Sequence, residues 1–216
     1  KAQNDIKSVI KLIDIVVEVL DARIPISSRN PIVDDIAKEK QRIVVLNKSD
    51  LADYDETKKW IKYFEEKGIT ALAVDSSIPS DIKKIIDEIT KKGDIVYKNK
   101  KESIDLEYNP IYRVLIAGIP NVGKSTIINK IAKRNAAEVS NKPGVTVRKQ
   151  WIRVASNIDL LDTPGLLWPR LDENNAGEKL ALTGNIKQDV LDIEGIACIG
   201  IEMLLEKEKY KNMFLE

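Results

Sequence analysis

Residues 114–117 read Val-Leu-Ile-Ala, run into Gly118-Ile119-Pro120-Asn121-Val122-Gly123-Lys124-Ser125-Thr126, and continue as a helical pattern to residue 133. An apolar strand that enters a G-x-x-x-x-G-K-[ST] turn and leaves as a helix is compatible with few folds. It calls for an open sheet whose strand ends face a helix N-terminus. The rest of the chain agrees. Apolar runs at 13–20, 43–46, 71–74, 111–117 and 158–161 alternate with helical patterns at 31–40, 55–67, 80–92 and 124–133. Such alternation predicts an α/β fold with a mostly parallel sheet and helices on both faces.

Punctuation refines the outline. Asn30-Pro31 opens the first helical pattern, Gly68 closes the second and Gly93 is expected to stop the third. The polar, Lys-rich stretch 97–110 reads as a linker between two halves of one sheet. Ser156-Asn157 sits between extended runs at 148–155 and 158–161 as a hairpin turn. From Asn175 the pattern is helical, clearest over 193–206. The expected division is a main domain over 1–172 and a helical segment over 173–216.

Composition excludes several chemistries. The chain has 216 residues, a formal net charge of +1 and no histidine. Histidine-based triads and most zinc sites are thereby ruled out. A single cysteine, Cys198, permits no internal disulfide, and its apolar setting predicts a buried thiol. No apolar stretch is long enough for a membrane span and the start is not a signal peptide, so a cytoplasmic, monomeric protein is expected. With no initiator Met, residues upstream of Lys1 are expected to be missing.

Each motif assigns chemistry to particular side chains. Gly118 and Gly123 permit the tight turn, and the backbone of Asn121, Val122, Gly123, Lys124, Ser125 and Thr126 can surround a β-phosphate. Lys124 would place charge at the β and γ phosphates, and Ser125 would offer its hydroxyl to Mg²⁺. Asn47-Lys48-Ser49-Asp50 ends the run 43–46. Asp50 can accept the ring N–H and exocyclic amine of guanine, a donor pair adenine lacks. The stem of Lys48 can lie along the base, and Asn47 can brace neighbouring loops. By itself this tetrapeptide also suits a helix-capping turn. Ser76 and Ser77, after the next strand, are candidates to meet the guanine carbonyl, although a helix N-cap explains them nearly as well.

Asp162-Thr163-Pro164-Gly165 follows the run 158–161. Asp162 would hold Mg²⁺ through water, and the Gly165 N–H would contact the γ-phosphate. Thr146, in Pro143-Gly144-Val145-Thr146, is the candidate switch threonine on Mg²⁺. Together these motifs predict a GTP- and GDP-binding, P-loop GTPase-type (Rossmann-like) domain with Lys124, Thr146 and Gly165 as its catalytic set. The order is reversed relative to an ordinary small GTPase, because the guanine motifs precede the phosphate loop. Joining old termini and opening new ones gives the same sheet, so the domain is circularly permuted.

Over nearly its whole length the chain resembles the circularly permuted GTPases of the ribosome biogenesis GTPase A family. The resemblance rests on Leu20-Asp21-Ala22-Arg23-Ile24-Pro25, Ser28-Arg29-Asn30-Pro31, Leu46-Asn47-Lys48, the loop from Gly118 to Ser125, Leu161-Asp162-Thr163-Pro164-Gly165 and Trp168-Pro169. It implies late assembly of the large ribosomal subunit, a precursor particle of rRNA and ribosomal proteins as partner, and GTPase activity stimulated by that particle. It also implies an N-terminal catalytic histidine, absent here, and a longer C-terminal helical domain that contributes to RNA binding, of which 173–216 would be the start.

Leu166 follows the Asp-Thr-Pro-Gly motif, where many GTPases place a water-orienting Gln. In related GTPases an Asn at the position of Asn121 accompanies a potassium ion. Here it either ligates K⁺ or stabilises the loop turn. Slow intrinsic turnover is expected. A nucleotide-gated RNA or protein binder with negligible hydrolysis is the alternative; an ATPase is disfavoured by Asn47-Lys48-Ser49-Asp50.

Overall fold

The computed structural model describes residues 10–101, 110–136, 151–155, 157–162, 175–186, 192–206 and 211, with the side chains of 99–101, 133–136 and 162 excepted. Its strands are β1 (Ile15–Asp21), β2 (Gln41–Asn47), β3 (Thr70–Val74), β4 (Tyr112–Ala117), β5 (Trp151–Ala155) and β6 (Ile158–Asp162). Its α-helices are α1 (Ile32–Ala37), α2 (Tyr54–Glu66), α3 (Pro79–Lys101), α4 (Lys124–Ala136), α5 (Ala176–Leu182) and α6 (Ile193–Leu205). The sheet order is β3-β2-β1-β4-β6-β5, all parallel except the β5–β6 hairpin.

β1 is the spine. It pairs with β2 on one side and β4 on the other, and each of its seven residues is buried. Alternation divides its side chains between two layers. Ile15, Val17 and Val19 pack with Ile82, Ile85 and Ile89 of α3 and with Ile127, Ile128 and Ile131 of α4. Val16 packs towards Val33 and Ile36 of α1, and Leu20 towards Phe64 of α2. Between those last two clusters lies Glu18, fully buried and paired with Arg42 and Arg29. Burial pushes its carboxyl above the usual carboxylate range, and the two arginines offset this only in part.

The β1/β4 junction is the topological switch point. From it, β2 and β3 extend one way and β6 and β5 the other. Ligands of open α/β sheets bind at the carboxyl ends of the strands beside such a point. The register brings those ends together: Asp21 lies opposite Asn47, Asn47 opposite Val74, and Ile116 opposite Asp162.

Three expectations need correction. α3 does not stop at Gly93 but continues to Lys101, so the predicted linker loses its first residues to the helix. Gly93 is there for space: a Cβ at this position would lie 2.5 Å from the Tyr112 ring. Cys198 is exposed. It belongs to α6, which contains no buried residue and whose main packing partner among the described elements is α5, so an apolar sequence did not bring burial. α1 is shorter than the 31–40 pattern, with Ile32 N–H donating to Asn30 Oδ1 at 2.9 Å.

α5 is different from α6. Its Leu180 is fully buried in the cluster shared with β1, α3 and α4. Among the described residues, no helix is long and apolar enough to cross a membrane.

Candidate nucleotide-binding site

The loop between β4 and α4 is shaped by two glycines that no other residue could replace without movement. Gly118 has φ +150°, and a Cβ there would overlap the Val19 carbonyl of β1. Gly123 has φ +98°, and its Cβ would overlap Asn47 Nδ2. Asn121 has φ +63°, a left-handed conformation that Asn tolerates better than most residues. Val122 is buried, whereas Ser125 and Thr126 are exposed at the start of α4. Lys124 Nζ donates to the Ile119 carbonyl at 2.7 Å, which folds the side chain back over the loop.

The second chain segment reaches the same place from β2. Asn47 Nδ2 donates to the Val122 carbonyl at 2.7 Å. The residue is 1% exposed, and its Oδ1 has no hydrogen-bond partner among the described residues. Lys48 follows with φ +60° and ψ +36°, a strained conformation for a long side chain. Asp50 lies exposed in the short 3₁₀ turn Ser49–Leu51. After β3, Ser77 N–H donates to Asp75 Oδ1 at 2.7 Å and Asp75 N–H donates to Asp81 Oδ2 at 3.0 Å. These bonds are a turn-and-cap arrangement at the start of α3, and Ser76 and Ser77 form its rim.

The sheet thus brings Asn47, Lys48, Asp50, Ser76 and Ser77 to the edge that carries the loop from Gly118 to Thr126. Asp162 ends β6 on the same edge, one strand from the loop. Thr146, Thr163 and Gly165 lie outside the described residues.

One part of the site was not anticipated. Asp21, at the end of β1, is fully buried and surrounded by donors. Arg23 Nε and Nη2 reach its two carboxylate oxygens at 2.9 and 2.7 Å. Lys48 Nζ and Asn185 Nδ2 each lie 3.0 Å from Oδ2. Arg23 also donates to the Thr183 carbonyl at 2.8 Å, and Asn121 Nδ2 donates to the Asn185 carbonyl at 3.2 Å. The Asp-x-Arg spacing at a strand end was a usable signal for the Asp21–Arg23 pair. Nothing local in the sequence marks Asn185.

A family model described as "50S ribosome-binding GTPase" matches residues 113–212. The "Ribosome biogenesis GTPase A" of Bacillus cereus is 44% identical over 206 residues, covering 94% of this chain and 68% of that protein. The protein of the same name from Thermotoga maritima is 34% identical over 216 residues, covering all of this chain and 74% of its own length. Among solved structures, that of GNP-bound YlqF from T. maritima superposes with a TM-score of 0.68 at 29% identity, over 95% of this chain and 75% of that one.

Proposed function

The chain belongs to the ribosome biogenesis GTPase A family, and we propose that it is a GTP-hydrolysing switch acting late in assembly of the large ribosomal subunit. Guanine-nucleotide binding, GTP hydrolysis and a place in ribosome biogenesis come with the family. The single observation that carries the site assignment is the 2.7 Å bond from Asn47 to the Val122 carbonyl. It joins the base-reading strand end to the phosphate loop across an inverted chain order.

In this reading Asp50 pairs with the guanine edge, Lys48 lies along the base plane and Ser76 and Ser77 flank the carbonyl side. Backbone N–H groups from Asn121 to Thr126 surround the phosphates, with Lys124 swinging from Ile119 to the β and γ oxygens. Ser125 and Asp162 fit Mg²⁺ by chemistry, since a hydroxyl and a carboxylate are hard oxygen donors and both stand at the carboxyl edge of adjacent strands. Thr146 and Gly165 would complete that set. The ion would neutralise charge on the transferred phosphoryl group. Asn121 would serve K⁺ through its carboxamide oxygen, since its nitrogen is engaged by Asn185. Leu166 cannot orient the attacking water, so slow turnover without a partner is the expected behaviour.

The partner is the precursor of the large subunit, with the helical segment 173–216 as the start of an RNA-binding part. Multiple-turnover GTP hydrolysis, in potassium and in sodium, with and without purified large subunits, is the test. Stimulation by the particle supports the switch. GTP binding with no stimulation removes the large subunit as the activator, and equal rates in the two salts remove K⁺.

A further inference from the structure

The polar network at the end of β1 contains a residue that no motif includes. Asn185 lies beyond the C-terminus of α5, and its position is fixed by that helix end. Gly184 takes the left-handed conformation at φ +70°, and Asn185 N–H donates to the Leu180 carbonyl at 2.8 Å. This is how a helix is closed by an αL glycine. Because Leu180 is buried in the sheet's core, Asn185 is set on the core and not on a loose tail.

From there it faces both halves of the site. Its Nδ2 donates to Asp21 Oδ2 at 3.0 Å and to Thr183 Oγ1 at 2.8 Å, its Oδ1 lies 3.5 Å from Lys48 Nζ, and its carbonyl accepts from Asn121 at 3.2 Å. The residue is 4% exposed. Lys48 therefore has two neighbours for its ammonium, the Asp21 carboxylate and the Asn185 carboxamide oxygen. Without them, a long side chain on a left-handed backbone has several rotamers open to it, and its stem has no reason to stay in one plane.

We propose that Asn185 is a positioning residue for nucleotide binding: from the end of α5 it holds the Asp21 carboxylate and the Lys48 ammonium in register, so that the Lys48 stem is preorganised to lie along the guanine base. This rests on reading Lys48 as the base-plane residue. It adds that base affinity depends on where α5 sits. Since α5 is the next described helix after Asp162-Thr163-Pro164-Gly165 in the chain, the contact from Asn185 to Asp21 and Lys48 gives that side of the molecule a direct route to the base side, beside the one through Asn121.

The test is a double-mutant cycle on the whole chain, with GDP affinity read by calorimetry and thermal melting recorded without nucleotide. Asn185→Ala should weaken GDP on the order of tenfold, the loss typical of a hydrogen bond to a charged group. In a Lys48→Ala background the same change should cost less than about twofold, because the side chain it positions is gone. Should Asn185→Ala melt below the assay temperature, Asn185→Ser, which keeps a polar group too short to span Asp21 and Lys48, provides the same cycle. GDP binding equal to wild type in Asn185→Ala, or an equal loss in both backgrounds, overturns the proposal. If Lys48→Ala alone binds GDP as wild type does, it is the reading of Lys48 that fails, and the proposal falls with it.

Discussion

Asp21 shows how one carboxylate can be buried and still remain charged. Burial alone would push its carboxyl up, but hydrogen bonds from Arg23, Asn185 and Lys48, with the charge of Lys48, outweigh it and bring it from 3.8 to about 2. A folded-state value below the unfolded one means stability that is complete above pH 3.8 and is lost as pH falls towards 2. The amount is about 2 kcal/mol. Asp21→Asn should be less stable than wild type at pH 6, and the gap, read by urea unfolding, should close by about that amount as pH falls through this window. A gap independent of pH would mean that the carboxylate gains nothing from its donors. The comparison isolates Asp21 from Glu18, whose raised value works in the opposite direction. At this scale, the sequence exposed what its motifs contain. Asn47, Lys48 and the phosphate loop were legible because strand ends and turn glycines announce them. Asn185 was not, because its partner Asp21 is 164 residues away and a lone Asn after a helix has no distinctive pattern.

α3 offers a direct test at the scale of an element. A glycine near the end of a helical pattern reads as a stop, and for Gly68 that reading holds, with φ +73° just after α2. Gly93 carries the same local signal, yet its helix continues, because the residue is selected by the Tyr112 ring on β4 and not by the backbone. Periodicity registers the chain's own turns and cannot register what another strand brings near. Alanine in a helix interior is favoured over glycine by up to about 1 kcal/mol. Overpacking a full site costs about 1–3 kcal/mol. Gly93→Ala should therefore lower Tm by a few degrees, and trimming the ring with Tyr112→Ala should turn the same substitution neutral or stabilising. A rise in Tm for the single variant would show that the ring moves aside freely. The strands were the most legible elements, since β1, β2 and β4 are nearly continuous apolar runs buried on both faces. α6 was legible as a helix but not in its burial, because apolar composition records what a segment can bury and not what is there to cover it.

For the whole molecule, the inverted motif order has a mechanical consequence. In the proposed reading the base is met by elements from β2 and β3 in the first half of the chain and the phosphates by the loop after β4 in the second, and the halves are joined edge to edge by β1 and β4. A nucleotide that touches both spans this seam. Ligand that binds only the folded state stabilises by about 2.7 kcal/mol at a hundredfold excess over Kd. That stabilisation should be distributed to both halves, because neither half of the site is complete without the other. Saturating GDP should slow amide exchange in β2 and the turn Ser49–Leu51 as well as in the loop from Gly118 to Thr126, and thermal unfolding should remain a single transition shifted upward. Protection confined to the loop would mean that the phosphates bind while the base goes unread. Two separated melting transitions would mean that the β1–β4 seam, and not the ligand, limits cooperation between the halves. The bond from Asn47 to Val122 favours the first outcome, since it already ties the end of β2, the proposed base-reading strand, to the loop proposed to hold the phosphates.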